Sequence, residues 1–484
     1  MGRGLPATAI LLLAAGAAIR IAGAVLWPTG GGDTAIYMTV AENIAQHGCV
    51  SVSPPASGAC VPHWGGNQLP LYPAFLAVWL VGGGLSSTTI GLAQAVLELL
   101  AIARLGQAVA DLAGRKAGWL TVAVLAIAPT EWFWSRYVLT ESLSIAAHLW
   151  LWAELLLCLA QARPRALPVA VALAVNVGLR LDAAFLVAPV VATFFMVAPP
   201  RAALRGLVVA AMIAGAPFLA WTVRSHLAGL PWSPIAALSN QDRSAAPAGY
   251  FAWLRTWQVN QYDLPTNSWP VLTQEYSRVV LTPRAVAGAT PGEARDLAQL
   301  FAELANHDHE AFPPEIDAAL GKLAADMRAR EPIRHWVLLP LARAGWAWFN
   351  PFTSYAWPQF ERAGRTSVDY VTMNWRSFLD EPSFLVARVV PNAWRIAALL
   401  TLVIAPLFWR RLGVDARRVY WLTLLYLVLR TAAFAMIAGV ETRYIVETVP
   451  LLECLAVLVA TSLWPALRQH APAQASGPVA RPGR

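Results

Sequence analysis

Charge is what this chain has least of. Asp, Glu, Lys and Arg make up 13% of its 484 residues, while 57% are hydrophobic. A soluble globular domain carries about 25% charged residues, so the shortage excludes an ordinary soluble protein. Lys and Arg are wholly missing from residues 28–70. Cysteine is scarce too, with four in all. No segment repeats another, which argues against the doubled halves common in transporters.

What is there is apolar sequence in long runs. Spans long enough for a hydrocarbon core of roughly 30 Å are expected at about 5–27, 87–110, 117–133, 142–160, 167–179, 183–198, 206–223, 384–408, 419–438 and 445–464. The fold class expected is therefore an all-α polytopic membrane protein, a bundle of about ten transmembrane helices. Arg3 and "AGA" at 22–24 resemble a signal peptide. Arg20 inside that run, and the spans that follow, favour an uncleaved first span instead.

Basic residues set the orientation. Arg115, Lys116, Arg163, Arg165, Arg201, Arg205, Arg410, Arg411, Arg417 and Arg418 fall in loops on one side. The bare segment 28–70 falls on the other. Both termini then face the cytoplasm and the first loop faces outside, as in a bacterial plasma membrane. The net charge of +8 is explained by this topology without nucleic acid as a partner.

Four regions follow: residues 1–224, a transmembrane module with its first external loop at 28–86; 225–383, an external and mainly helical segment; 384–466, C-terminal transmembrane helices; and 467–484, a low-complexity tail expected to be disordered. Within the second, residues 291–331 are charged and helix-periodic, with Leu297, Leu300, Phe301 and Leu304 on one face. "FPPE" should break them into two helices. Residues 335–352 are rich in Trp and read as an interfacial segment. Cys158 and Cys454 lie in spans and act as small apolar residues. Cys49 and Cys60 share the first external loop with His47 and His63, so either a disulfide or a zinc site is open.

"TGGGDTAIYMTVAENIAQHGC" (29–49) carries the first acid of interest. Its local pattern is that of a capped helix: Asp33 at the N-cap, Ile36, Tyr37, Val40 and Ile44 in an apolar stripe, Gly48 at C′. The alternative is chemistry. A second acid, Glu141, and Arg136 before it share the outer surface, with His148 seven residues on and within the membrane. Arg180, Arg224 and Arg443 are also placed at outer span ends. Arginines clamp phosphate and a carboxylate can take a hydroxyl proton, although each arginine could equally snorkel to the interface. Glu98, Glu154, Glu453 and Arg430 are predicted within spans and should face the bundle interior.

Several stretches resemble one family, the C-type (GT-C) glycosyltransferase superfamily, in the branch of protein O-mannosyltransferases and lipid A aminoarabinose transferase. "GGGDTAIYMTVAENIAQHG" resembles its first external loop, "NQLPLYPAFLAVWLVGG" (67–83) its segment beside the membrane, and "SRYVLTESL" the stretch with its second acid. "GLRLDAAFLVAP" (178–189), "APFLAWTVRSHLAGLPWSP" (216–234) and "ETRYIVETVP" (441–450) resemble later segments. The family's Asp-Glu is here Asp33-Thr34, and its Arg-Pro is here Arg180-Leu181-Asp182. The resemblance implies sugar transfer, with inversion, from a polyprenyl-phosphate donor to an acceptor hydroxyl on a glycan, lipid or protein at the outer face. Asp33 would be the base and Glu141 would orient the acceptor or a cation. Arg224, Arg136 and Arg443, with Tyr37, would hold the substrate. A divalent cation is possible and no other cofactor is implied. A transporter or flippase of lipid-linked sugars is the alternative.

Overall fold

The computed structural model describes residues 7–28, 33–51, 69–83, 86–227, 247–349 and 382–469. Cys60, His63, the glycines at 30–32 and the tail from 470 lie outside these residues, as do 228–246 and 350–381. Among the described residues the chain is helical and has no β-strand, only isolated bridges such as Asn260 to Val440.

The membrane-side helices are α1 (Ala7–Leu26), α2 (Thr34–His47), α3 (Leu71–Val81), α4 (Ser87–Ala113), α5 (Arg115–Ile127), α6 (Thr140–Gln161), α7 (Ala166–Leu179), α8 (Val187–Val197) and α9 (Pro200–Leu227). The segment 247–349 supplies α10 (Ala248–Leu254), α11 (Pro291–Leu304), α12 (Pro314–Arg330) and α13 (Leu339–Phe349). The chain returns with α14 (Pro382–Leu407), α15 (Val414–Ala435) and α16 (Val449–Gln469). Six stretches, in α4, α6, α9, α14, α15 and the segment Thr442–Leu463, are long and apolar enough to cross a membrane. This is the all-α, multi-pass architecture expected from composition.

One expected span is much shorter than its apolar run. Residues 117–133 were to form one crossing, but α5 ends at Ile127 and a turn takes over before a 3-10 turn at Trp134–Arg136. Pro129 follows directly, and proline cannot continue a helix. The last crossing likewise begins as a 3-10 segment, Thr442–Thr448.

α6 is the axis of the bundle. Trp152, Leu151, Ala153, Leu155 and Cys158 are fully buried on it, as expected for a helix that is apolar all round. α4 packs along it, and α5 packs on α4 through glycines. A Cβ at Gly106 would fall 2.2 Å from Val122 Cγ2, and one at Gly118 would fall 2.5 Å from the Gly106 carbonyl oxygen. Small residues allow this approach, which dispersion then rewards.

Arg20, the charge that interrupts the first apolar run, is fully buried. It pairs with Glu98 of α4 at 2.7 Å and donates to the carbonyls of Ala126 and Leu125 at 2.9 and 3.3 Å. Those carbonyls belong to the end of α5, where the helix has no partner of its own to offer. At the far end of α6, Glu154 pairs with Arg104 and Arg165 at 2.6 and 3.1 Å.

The segment 247–349 has a core of its own around Tyr250, Trp253, Leu297, Phe301, Leu304, Ile316 and Leu320. α11 and α12 break at "FPPE" as expected. α11 opens with a capping box between Thr290 and Glu293. α13 turns Arg343 inward, where it donates to the carbonyls of Gln258, Arg255 and Ala435 at 2.9, 2.6 and 3.4 Å. Trp336, Leu338, Leu341 and Phe349 stay exposed.

Candidate active site

Four loop–helix junctions converge at one end of the bundle: the start of α2, the start of α6, the turn after α7, and the segment between α15 and α16. The convergence is fixed by polar ties as well as apolar packing. Thr34 Oγ1 donates to the Val138 carbonyl at 2.9 Å. Gln94 Nε2 donates to the carbonyls of Ser135 and Tyr137 at 2.9 and 2.8 Å, and its Oε1 accepts from Tyr72 at 3.0 Å. Tyr37 packs edge-on against Tyr72 with ring centroids 5.0 Å apart.

Asp33 does not cap α2. Its backbone is already helical (φ −83°, ψ −9°) and its side chain makes no capping hydrogen bond. Its carboxylate instead accepts from Arg443 Nη1 at 3.2 Å. The cap expected from the local pattern is thus replaced by a partner 410 residues away, because an ion pair to a half-buried guanidinium outcompetes a neutral amide. Gly48 does close the helix as expected, at φ 62°, with its N–H on the Ile44 carbonyl and the next N–H, of Cys49, on the Asn43 carbonyl.

From Arg443 a ladder of ion pairs runs inward. Arg443 also meets Glu441 at 2.8 Å and Glu141 at 3.6 Å. Glu141, 1% exposed, pairs with Arg180 at 3.2 Å. Arg180 pairs in turn with Asp182 at 3.1 Å and Glu447 at 3.3 Å. Arg430 closes the far end on Asp182 at 2.6 Å and Glu447 at 2.8 Å. Behind it, the Tyr426 hydroxyl donates to His148 Nε2 at 2.7 Å, and His148 Nδ1–H donates to the Ser144 carbonyl at 2.8 Å. His148 is therefore a neutral, hydrogen-bonded pillar.

Tyr37 lies over the outer end of this ladder. Burial, with the carboxylates of Glu141 and Asp33 nearby, pushes its hydroxyl pKa above the ordinary value, so it stays a neutral donor. Asp33 is the accessible acid, with its side chain 41% exposed. Acids outnumber guanidiniums in the ladder, and each acid is engaged by at least one arginine. Among the described residues no group of three or more His, Cys, Asp or Glu is arranged to hold a metal ion.

The other sequence candidates fall elsewhere. Arg136 donates to the Trp27 carbonyl at 2.8 Å and to Tyr137 Oη at 3.2 Å, tying the turn before α6 to the end of α1. Arg224 sits near the end of α9 over the Trp221 ring at 4.9 Å, within 3.5 Å of the Val50 carbonyl. Trp221 also lines an apolar cavity of about 320 Å³ between α3, α7 and α9, with Leu71, Ala174, Gly178, Pro217 and Phe218. Cys49 is disulfide-bonded and Cys158 and Cys454 are free, which removes zinc from Cys49.

Sequence reasoning missed Glu441, Glu447 and Tyr426, and gave Asp182 and Arg430 no role. The signal for the first two was in "ETRYIVET", whose acids flank Arg443. Asp182 stood in the departure from Arg-Pro.

No protein-family model and no characterised sequence matches the chain. Solved structures with an overall likeness include ArnT from Cupriavidus metallidurans, in the apo state and bound to undecaprenyl phosphate. Both are 17% identical, over 93% of this chain and 77% of that one, with TM-scores of 0.38 and 0.40. Another is the archaeal oligosaccharyltransferase AglB from Archaeoglobus fulgidus, in complex with an inhibitory peptide and a dolichol-phosphate. It is 13% identical over 95% of this chain and 51% of that one, with a TM-score of 0.49. At such values a likeness assigns neither a family nor an activity.

Proposed function

We propose that this chain is a membrane glycosyltransferase that moves a sugar from a polyprenyl-phosphate donor to an acceptor hydroxyl at the outer face of a bacterial plasma membrane. The observation that carries the reading is Asp33: an accessible carboxylate that forgoes its helix cap and is aimed by Arg443 at the mouth of a buried ion-pair ladder. A carboxylate so held is oriented, as a general base must be. Four of the six stretches that resemble GT-C transferases fall on the same four junctions.

In this reading the acceptor hydroxyl gives its proton to Asp33 while its oxygen attacks the anomeric carbon. The bond from that carbon to the phosphate oxygen breaks from the opposite side, so the sugar is inverted, and the phosphate keeps the electron pair. Arg224, over the Trp221 ring that lines the apolar cavity, would balance that charge while the cavity takes isoprenoid chain. Arg443 and Glu141 set the position of Asp33. Tyr37 offers a hydroxyl to the sugar or acceptor.

The test is Asp33→Asn, assayed for polyprenyl phosphate released from a sugar-loaded lipid. Asn keeps the shape and loses the base, so turnover should fall on the order of 10²–10⁴-fold with expression and melting temperature preserved. Full activity in a folded Asn variant would sink the reading and turn attention to lipid-linked sugar transport.

A further inference from the structure

A second set of buried acids lies where α5, α14 and α16 meet, apart from the Asp33 ladder. Glu131 and Glu453 are each 2% exposed. Thr130 stands between them, its hydroxyl 2.6 Å from Glu131 Oε1 and 3.3 Å from Glu453 Oε1. Trp394 Nε1 donates to Glu453 Oε1 at 2.6 Å. The second oxygen of each carboxyl, Oε2, is buried and has no hydrogen-bond partner.

Beside this pair is a cavity of about 340 Å³. Glu453 and Trp394 form its polar wall, and the rest is apolar, including Leu120, Ala397, Val457 and Ala460. Leu120, Ala397 and Ala460 are exposed, so in a bilayer the cavity opens sideways to lipid. Arg20 and Arg395 are near enough to act on Glu131 electrostatically. Arg20 is committed to Glu98 and Arg395 donates to the Trp348 carbonyl at 2.9 Å, and neither reaches the Oε2 atoms.

Two acceptor oxygens at a buried position call for a donor, because leaving such groups unmade is costly. Two acids repel an anion. A primary ammonium carries three N–H donors and one positive charge, which matches both requirements. An apolar wall and a sideways opening call for an apolar body that arrives from the membrane. We propose that this cavity binds a membrane-dissolved amphiphile with a primary ammonium head. The ammonium meets the Glu453 carboxyl, which lines the cavity, with Glu131 behind it across Thr130, and the apolar body lies along Ala397, Val457 and Ala460.

The site does not depend on the glycosyltransferase reading and is tested by binding alone. Full-length protein in a nonionic detergent is titrated with decylamine, decanol and decyltrimethylammonium, with heat or thermal unfolding as the readout. Decylamine should bind about tenfold more tightly than either of the others, the difference expected for one charge-assisted hydrogen bond. Glu453→Gln should weaken decylamine by a similar factor and leave decanol unchanged. Ala460→Leu, at a lipid-exposed rim where folding is not at stake, should weaken both. Equal binding of the three probes overturns the proposal. So does unchanged amine binding in Glu453→Gln, which would mean that the pair holds a proton instead.

Discussion

Arg180 touches three carboxylates, and two of them, Glu141 and Glu447, are almost fully buried. Removing one member of a buried ion pair costs about 3–5 kcal/mol, because the remaining charge loses its partner. Arg180→Gln should therefore yield little detergent-stable protein, read by thermal unfolding. Arg443 is 21% exposed, and its loss should unfold less and act more on turnover. Arg443→Gln is expected to retain a melting transition while losing donor cleavage, measured as polyprenyl phosphate release. A collapse of both variants to the same degree would show that Arg443 is a structural residue only. Thr34→Val isolates a smaller contribution, the hydrogen bond to the Val138 carbonyl at 2.9 Å, and should lower stability by about 1 kcal/mol. The residue scale is also where sequence reading was weakest. Asp33, Glu141 and Arg443 could be singled out by type and position. That Arg136 serves Trp27 while Arg443 serves Asp33 depends on contacts 109 and 410 residues apart in the chain.

Elements were more legible. The two helices of 291–331 and their break at "FPPE" follow from periodicity and proline, both local properties. Their start can be tested by itself. Thr290 accepts from the Glu293 N–H and the Glu293 carboxylate accepts from the Thr290 N–H. Thr290→Ala should cost about 1 kcal/mol, seen as faster hydrogen exchange in the first turn of α11. Hydrogen bonds from Arg330, and then from the Thr290 backbone, hold the Glu293 carboxyl down at about 2, below its ordinary 4.5. A depressed carboxyl pKa adds stability above the unfolded value, lost as pH falls through the folded one. Unfolding of this segment should thus become easier between about pH 4.5 and 2, and Glu293→Gln should flatten that dependence. α5 shows the opposite case. Its apolar run extends through Pro129 to Phe133, and hydropathy alone could not tell membrane crossing from a buried turn. The turn exists because Thr130, Glu131 and Trp134 find partners within the bundle.

At the scale of the whole molecule, buried charge marks where helices are locked together. Arg20 joins α1 to α4 and to the open end of α5. Arg20→Met would leave Glu98 unpaired and fully buried, and should prevent recovery of folded protein. Arg20→Met with Glu98→Met removes both charges, so a large part of the lost melting temperature should return. If the double variant is no better than the single, the pair is not what joins these helices. Hydropathy and charge scarcity, read from the sequence by themselves, determined that the chain is a multi-pass helical bundle, because crossing a hydrocarbon core requires long apolar runs whatever their neighbours. Turn residues likewise marked the two helices of 291–331. Which acids meet which arginines was decided only by the tertiary structure. Asp33, Glu141, Asp182, Glu441 and Glu447 lie on four separate junctions, and their shared ladder exists only once α2, α6, α7 and the segment before α16 pack side by side.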